Sequence, residues 1–446
     1  MSESLVKPNA CIESLDHEGR GVAHVEGKTI FIEGALPGEQ VEYVSQRKKS
    51  SYEVATTVKL LQRSSQRSVP ACPYFGVCGG CSMQHINLPT QTAAKQRVLE
   101  DALWHIGRIK PEQLYSPIAG AAWGYRHRAR LSMRHVLKKG AVLVGFREKR
   151  GSFVTVMDSC AVLTPKVSAL LAPLKAMMAE MSAPDKLPQL EVAVAGVQTV
   201  FVLRTMDRLT TDDEERLRRF ADENDVIWYL QSKGPDTALQ FYPPETSTLA
   251  YTLPDFNLEM QFRPVEFTQV NPDVNRMLVR RAMALLQPTS GDRIADLFCG
   301  LGNFSLPMAR LGADVFGVEG SESLVQRARE NASHNGLSKS CEFAVANLFD
   351  VNEESFSSGP LQLGRFNKML IDPPRDGALA LVSALPLEGG PQRIVYVSCN
   401  PATLARDAAV LVTQKGYFLR GAGIVSMFPH TSHVESMALF ERAPTR

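Results

Sequence analysis

The 446-residue sequence contains no long apolar run. Nothing in it approaches the roughly 18 uninterrupted apolar residues that a membrane span needs, so no membrane helix is expected. It lacks an excess of either charge. Lys and Arg number 49 against 47 Asp and Glu, which excludes a wholly basic packaging protein but leaves room for a local basic surface. It also lacks the composition of a disordered chain, with 44% hydrophobic and 22% charged residues. Met1–Lys7 has no apolar segment of the kind a secretory leader carries, which points to a cytoplasmic location. There the eight cysteines are expected as reduced thiols, metal ligands or catalytic groups before disulfides. No internal repeat and no obligate protein partner is evident, so a monomer is expected.

What is present divides into three stretches. Residues 1–65 read as short strands separated by Gly and Pro turns such as Glu26-Gly27 and Leu36-Pro37-Gly38, the pattern of a small closed barrel. Residues 66–264 read as a mixed α/β domain, whose helix over 90–115 is a candidate to pack on the third stretch. From 265 to 446 strands and helices alternate regularly, which predicts a doubly wound parallel sheet. Basic residues concentrate in two places. One is 44–70, with Arg47, Lys48, Lys49, Lys59, Arg63 and Arg67. The other is 123–150, with nine Lys and Arg against one acid. There Arg126, Arg128 and Arg130 alternate with apolar residues, as a row on one strand face suited to phosphates would. Such a row also serves simply to discourage edge pairing.

Three motifs fall at the carboxyl ends of strands in 265–446. Asp296-Leu-Phe-Cys-Gly-Leu-Gly-Asn-Phe joins a strand to a helix, and Glu319 ends the next strand, placed to bind ribose hydroxyls. The third glycine of a dinucleotide loop is replaced by Ser305, and Asp296 would repel a pyrophosphate. A cationic sulfonium donor, S-adenosyl-L-methionine, suits that acid better. Ile371-Asp-Pro-Pro-Arg gives a stiff turn that would hold Asp372 toward the ligand edge. Cys399 precedes Asn400-Pro401, a helix-start pair, so the helix dipole is expected to favour its thiolate. A thiolate beside a methyl donor makes sense for one target, carbon 5 of a pyrimidine. That carbon becomes nucleophilic only after a thiolate adds at carbon 6, and a base must then remove its proton. Glu435, opening an apolar strand, is the candidate base.

Cys72, Cys78 and Cys81 stand within ten residues, with Cys160 the nearest cysteine downstream. Spacing alone leaves an iron–sulfur cluster, zinc or bare thiols open.

Together these motifs, with Phe267-Thr-Gln-Val-Asn-Pro and His433-Val-Glu-Ser-Met, resemble the RNA uracil-C5 methyltransferase family. The cysteine set and the N-terminal strands resemble the members that carry a 4Fe-4S cluster and a TRAM domain, an OB-like RNA-binding module, and act on bacterial 23S ribosomal RNA. The resemblance implies a Rossmann-like class I methyltransferase domain at 265–446 and a central iron–sulfur domain at 66–264. It implies Cys399 as nucleophile and Glu435 as base. Gln269, Phe298, Asn303, Glu319, Asn347 and Asp372 would contact S-adenosyl-L-methionine or a flipped base, with Asp350 an alternative to Asn347. Cys72, Cys78, Cys81 and Cys160 would hold a [4Fe-4S] cluster, and 23S ribosomal RNA would be the partner.

Overall fold

The computed structural model describes residues 7–136, 141–245, 248–357 and 361–442. Residues 1–6 of the amino-terminal stretch, and Lys138 and Lys139 of the basic segment, lie outside the described residues.

The carboxyl-terminal part is a nine-stranded sheet. Its order runs Cys341–Val345, Asp314–Glu319, Arg293–Leu297, Lys368–Ile371, Arg393–Ser398, Glu435–Arg442, Tyr417–Ser426. The first five strands are parallel and Glu435–Arg442 is antiparallel to both of its neighbours. Winding reverses between Arg293–Leu297 and Lys368–Ile371, and open α/β sheets bind ligands outside the strand ends at that point. The parallel strands read as near-continuous apolar runs because helices cover both faces. Helix Pro401–Thr413 starts where expected, with Asn400 Oδ1 accepting from Ala402 N at 3.1 Å.

Helix Leu88–His105 packs on helix Pro401–Thr413, within the core of this sheet. Gln113–Leu114 and Ile118–Ala119 then pair in parallel with Tyr417–Ser426. A segment remote in sequence thus completes the catalytic layer. The middle region is a second six-stranded sheet, from Ala141–Gly145 and Arg128–Val136 to Leu239–Tyr242, with helices Pro165–Ala179 and Thr211–Asn224 sharing its core.

The amino-terminal region is a six-stranded sheet around Ala10, Ile12, Ala23, Ile30, Ile32, Val41 and Ala55. Its two outermost strands, Asn9–Cys11 and Ser14–Leu15, are consecutive in the chain. Arg67 does not contribute to a basic surface as its segment suggests. Its guanidinium is spent on fully buried Glu39, at 2.6 Å from both Nε and Nη2. The pair fastens this region to the chain that leaves it.

Candidate active site

Four neighbouring strands bring four reactive positions to one edge. Asp296 lies one residue before the end of its strand, Asp372 and Cys399 directly follow theirs, and Glu435 opens an antiparallel one. Ser436 pairs with Ser398, so the start of one strand meets the end of the other.

The glycine loop turns sharply beside this edge. Phe298 takes φ +64°, a conformation costly for a bulky residue, fixed by Phe298 N and Cys299 N donating to Val318 O at 2.9 and 3.1 Å. Gly300 (φ +55°) has open space where a side chain would be, whereas a Cβ on Gly302 (φ +95°) would lie 2.6 Å from Leu306 Cδ1. Glu319 accepts from Gly300 N at 3.2 Å and Ser321 N at 3.0 Å, which secures its carboxylate at the loop. The Phe298 ring stands 5.7 Å from that of Phe349, a residue the sequence reading did not single out. Asn347 Nδ2 donates to Asp350 Oδ2 at 2.6 Å, which joins the two candidate residues. Asn303 Oδ1 accepts from Tyr251 OH at 2.8 Å and Asn275 Nδ2 at 3.0 Å. Gln269 lines a small pocket with Tyr251 and Asn275.

The four reactive positions sense one another. Asp296 is fully buried. Ser305 Oγ donates to its Oδ2, while Oδ1 has no partner. Burial, with a contribution from Glu319, pushes it up to about 7. Burial, then Glu435 and Asp296, push Asp372 up to about 8. This cluster of acids, one with an orphaned oxygen, suits a cationic ligand.

Cys399 departs from expectation. Its thiol is not lowered by the helix start; burial, then Glu435 and Asp372, push it up to about 11, against a smaller opposing effect of Arg375. The helix dipole is outweighed because Asn400 already occupies the Ala402 amide, and two carboxyl groups face the sulfur.

Cys399 also lines a cleft of about 1220 Å³ walled by helix Leu88–His105, the strap 428–434 and the amino-terminal strands near Ser14 and His17. None of Gln269, Phe298, Asn303, Glu319 or Asp372 is among its lining residues. Cys399 therefore stands between a recess of acids and an open groove. The strap is tied down from several sides. His430 O accepts from Ser82 N and Met83 N, both at 2.9 Å, and Tyr125 OH donates to Pro429 O at 3.0 Å. At its end His433 Nε2 meets Glu435 Oε1 at 3.0 Å. His433 lies in a motif already singled out, but Tyr125 and buried Lys95 had no signal in the sequence beyond their residue types.

Cys72, Cys78, Cys81 and Cys160 are brought together around a recess of about 20 Å³, with Tyr74, Phe146 and Met157. The loop fits closely: a Cβ on Gly79 would lie 3.0 Å from Arg147 O. Burial raises the Cys78, Cys81 and Cys160 thiols, and the neighbouring thiols raise them further. Among the described residues, no three His, Cys, Asp or Glu form a ready single-ion site.

The expected arginine row is corrected. Arg128 points inward, donating to Glu266 O, to Pro264 O at 2.5 Å and to Thr268 Oγ1 at 3.2 Å. Arg126 lies over the Phe146 ring and Arg130 meets Glu191 at 3.0 Å. Arg128 instead clamps the segment leading to Gln269, a role that strand alternation alone could not reveal.

Comparison with known proteins accords with this layout. Residues 89–443 match the family described as tRNA (Uracil-5-)-methyltransferase, and residues 9–42 match the TRAM domain. The chain is 59% identical over 435 residues to the 23S rRNA (uracil(1939)-C(5))-methyltransferase RlmD of Azoarcus sp. (strain BH72), covering 98% of this chain and 100% of that one. It is 58% identical to the protein of the same name from Dechloromonas aromatica (strain RCB), covering 97% and 99%. The crystal structure of Pyrococcus abyssi tRNA (uracil-54, C5)-methyltransferase with S-adenosyl-L-homocysteine superposes with a TM-score of 0.74, at 26% identity, over 97% of this chain and 99% of that one. The long uninterrupted match, over strands that carry Asp296, Asp372, Cys399 and Glu435 to one edge, shows that the chain belongs to the RNA uracil-C5 methyltransferase family.

Proposed function

We propose that this protein transfers a methyl group from S-adenosyl-L-methionine to carbon 5 of uracil 1939 in 23S ribosomal RNA, acting as a monomer in the cytoplasm. The observation that carries the reading is Cys399, which faces an open groove on one side and a recess of carboxyl groups on the other. The substrate follows from the two relatives at 58–59% identity, whose names specify that uracil. The TRAM match supports RNA as the partner.

S-adenosyl-L-methionine supplies the methyl group as a sulfonium. Phe298 and Phe349 offer faces for its base, Glu319 for its ribose, and Asp296, Asp372 and the Asn347–Asp350 pair surround it with negative charge. Asn303 and Gln269 complete the wall through Asn275. The groove takes RNA, and the target uracil leaves its stack to reach Cys399. Cys399 Sγ gives its proton to solvent and bonds to carbon 6, and the resulting enolate makes carbon 5 the nucleophile that takes the methyl group, whose bonding pair stays on the donor sulfur as S-adenosyl-L-homocysteine leaves. Glu435 then removes the carbon-5 proton. That electron pair restores the carbon 5–carbon 6 double bond, the carbon 6–sulfur bond breaks, and Glu435 returns a proton to the departing thiolate.

Cys72, Cys78, Cys81 and Cys160 suit a [4Fe-4S] cluster. Four thiols around one enclosed, largely apolar recess are soft donors, and the corners of a cubane stand farther apart than the ligands of one ion. The chemistry above needs no redox step from it. Its loop, through Ser82 and Met83, holds the strap that leads to Glu435.

Incubation with labelled donor and protein-free 23S ribosomal RNA tests the reading. Expected is 5-methyluridine at one position and a covalent protein–RNA intermediate, both absent with Cys399→Ala. Product from that variant, or methylation of transfer RNA alone, overturns it. Anaerobically purified protein should be brown, with roughly four irons per chain. Stoichiometric zinc without iron would contradict the cluster.

A further inference from the structure

Tyr251 has no part in the chemistry above, yet it reaches the wall of the donor recess from outside the sheet that forms it. It lies in strand Leu249–Leu253, which pairs with Leu258–Phe262 as a two-stranded hairpin. Helix Glu322–His334 holds that hairpin to the glycine loop. Its fully buried Asn331 accepts from Gln261 N at 2.8 Å and donates from Nδ2 to Gln261 O and to Leu301 O, both at 3.1 Å. From this anchored position Tyr251 OH meets Asn303 Oδ1 at 2.8 Å.

Asn303 and Asn275 are joined by two reciprocal bonds, Asn275 Nδ2 to Asn303 Oδ1 and Asn303 Nδ2 to Asn275 Oδ1, both at 3.0 Å. Such a pair is symmetric: if both amides turn over, both bonds survive. The phenol breaks the symmetry. Among the described residues its hydroxyl has no acceptor other than Asn303 Oδ1, and burial raises its pKa, so it stays protonated. With the amides as they stand, the hydroxyl hydrogen is satisfied. With both turned over, Asn303 Nδ2 would face the hydroxyl and its hydrogen would be stranded. Asn303 Oδ1 is thus filled by two donors. One Nδ2 hydrogen goes to Asn275, and the other has no partner among the described residues. Asn303 is part-exposed, whereas Asn275 is buried, so that free N–H belongs to the residue that can reach a ligand.

We propose that Tyr251 is a positioning residue for the methyl donor: its hydroxyl locks the Asn303–Asn275 pair in the one orientation that turns an Asn303 N–H, rather than an oxygen, to the carboxylate of the donor's amino-acid arm. The inference rests on the reading of Asn303 as a donor contact. The acids of the recess suit the sulfonium and ammonium groups of the donor and leave its carboxylate to a neutral N–H. Without the hydroxyl the turned-over pair costs no hydrogen bond, and it sets Asn303 Oδ1 against that carboxylate.

The test measures binding of S-adenosyl-L-homocysteine and of methylthioadenosine, which keeps base and ribose but lacks the amino-acid arm. Calorimetry compares the full chain with Tyr251→Phe, Asn303→Ala and the double variant, with melting curves alongside. Phe removes one oxygen and keeps the ring beside Phe262. Tyr251→Phe is expected to weaken S-adenosyl-L-homocysteine about tenfold and methylthioadenosine less than about twofold. The double variant should bind S-adenosyl-L-homocysteine within about twofold of Asn303→Ala, because Tyr251 acts through Asn303. Equal weakening of both ligands in Tyr251→Phe, or full additivity in the double variant, overturns the proposal, whatever the melting temperature. If Asn303→Ala binds S-adenosyl-L-homocysteine like the parent, the reading of Asn303 falls, and the proposal with it. If Asn303→Ala binds weakly while Tyr251→Phe binds like the parent, only the role of Tyr251 falls.

Discussion

Two thiol sites in this molecule share a proton affinity and little else. Cys81 and Cys399 are both pushed up to about 11, and burial leads in both. At Cys81 the groups that push further are Cys160, Cys78 and Cys72; at Cys399 they are Glu435 and Asp372. Three thiols raised by burial and by their thiol neighbours, around about 20 Å³, would be relieved by a shared cation. A thiol raised by carboxylates on the edge of about 1220 Å³ is relieved by a substrate that carries its charge away. The thiol's affinity for its proton therefore says little about its role. The identity of the neighbours and the size of the opening say much more.

Breaking that contrast should give the largest effect at Cys399. Cys399→Ala is expected to cut methyl transfer about 10⁴-fold while leaving donor binding within about twofold. Cys81→Ser is expected to do the reverse, losing iron and melting at lower temperature while still binding donor. Quantified 5-methyluridine, iron content and melting curves separate the two.

The same contrast between an enclosed and an open group sets Arg128 against Arg130. Arg128→Ala leaves three oxygens of 264–268 without their donor and is expected to cost about 3 kcal/mol of stability in denaturant titrations. It should also weaken donor binding through Gln269. Arg130→Ala, at an exposed pair with Glu191, is expected to cost under about 1 kcal/mol and to act on the salt dependence of RNA binding.

Asp372 sharpens the picture of the recess through pH. Its carboxyl group ionises near pH 4 in the unfolded chain and at about 8 in the folded one. The folded protein thus holds an extra proton between those values, and this group lowers stability as pH rises from 4 to 8. A cationic donor binds the ionised form, so its affinity should rise toward pH 8. At pH 7 it should be about tenfold below the plateau, with proton release visible by calorimetry in buffers of different ionisation heat. Asp372→Asn should make the stability profile less steep and reduce the proton release, the remainder belonging to Asp296 at about 7.

Much of this was legible before any coordinates. Apolar strands alternating with helical periodicity, a glycine turn after Leu297, prolines after Asp372 and the Asn400-Pro401 helix start are local signals. Each acts within a few residues, which is why the doubly wound sheet, its ligand edge and Cys399 as the candidate nucleophile could be read from the chain alone. Contacts between distant segments were legible only in part: the helix over 90–115 was a candidate to pack on the sheet, whereas the two short strands that join Tyr417–Ser426 emerge only from the folded chain. The tertiary structure alone turned Arg128 inward, paired Asn347 with Asp350, and tied Lys95 to Phe428 O. The proton affinity of Cys399 belongs to the same group. A helix dipole can be read from neighbouring residues, but desolvation and the field of two carboxylates from other strands depend on the packed whole, and there they prevail.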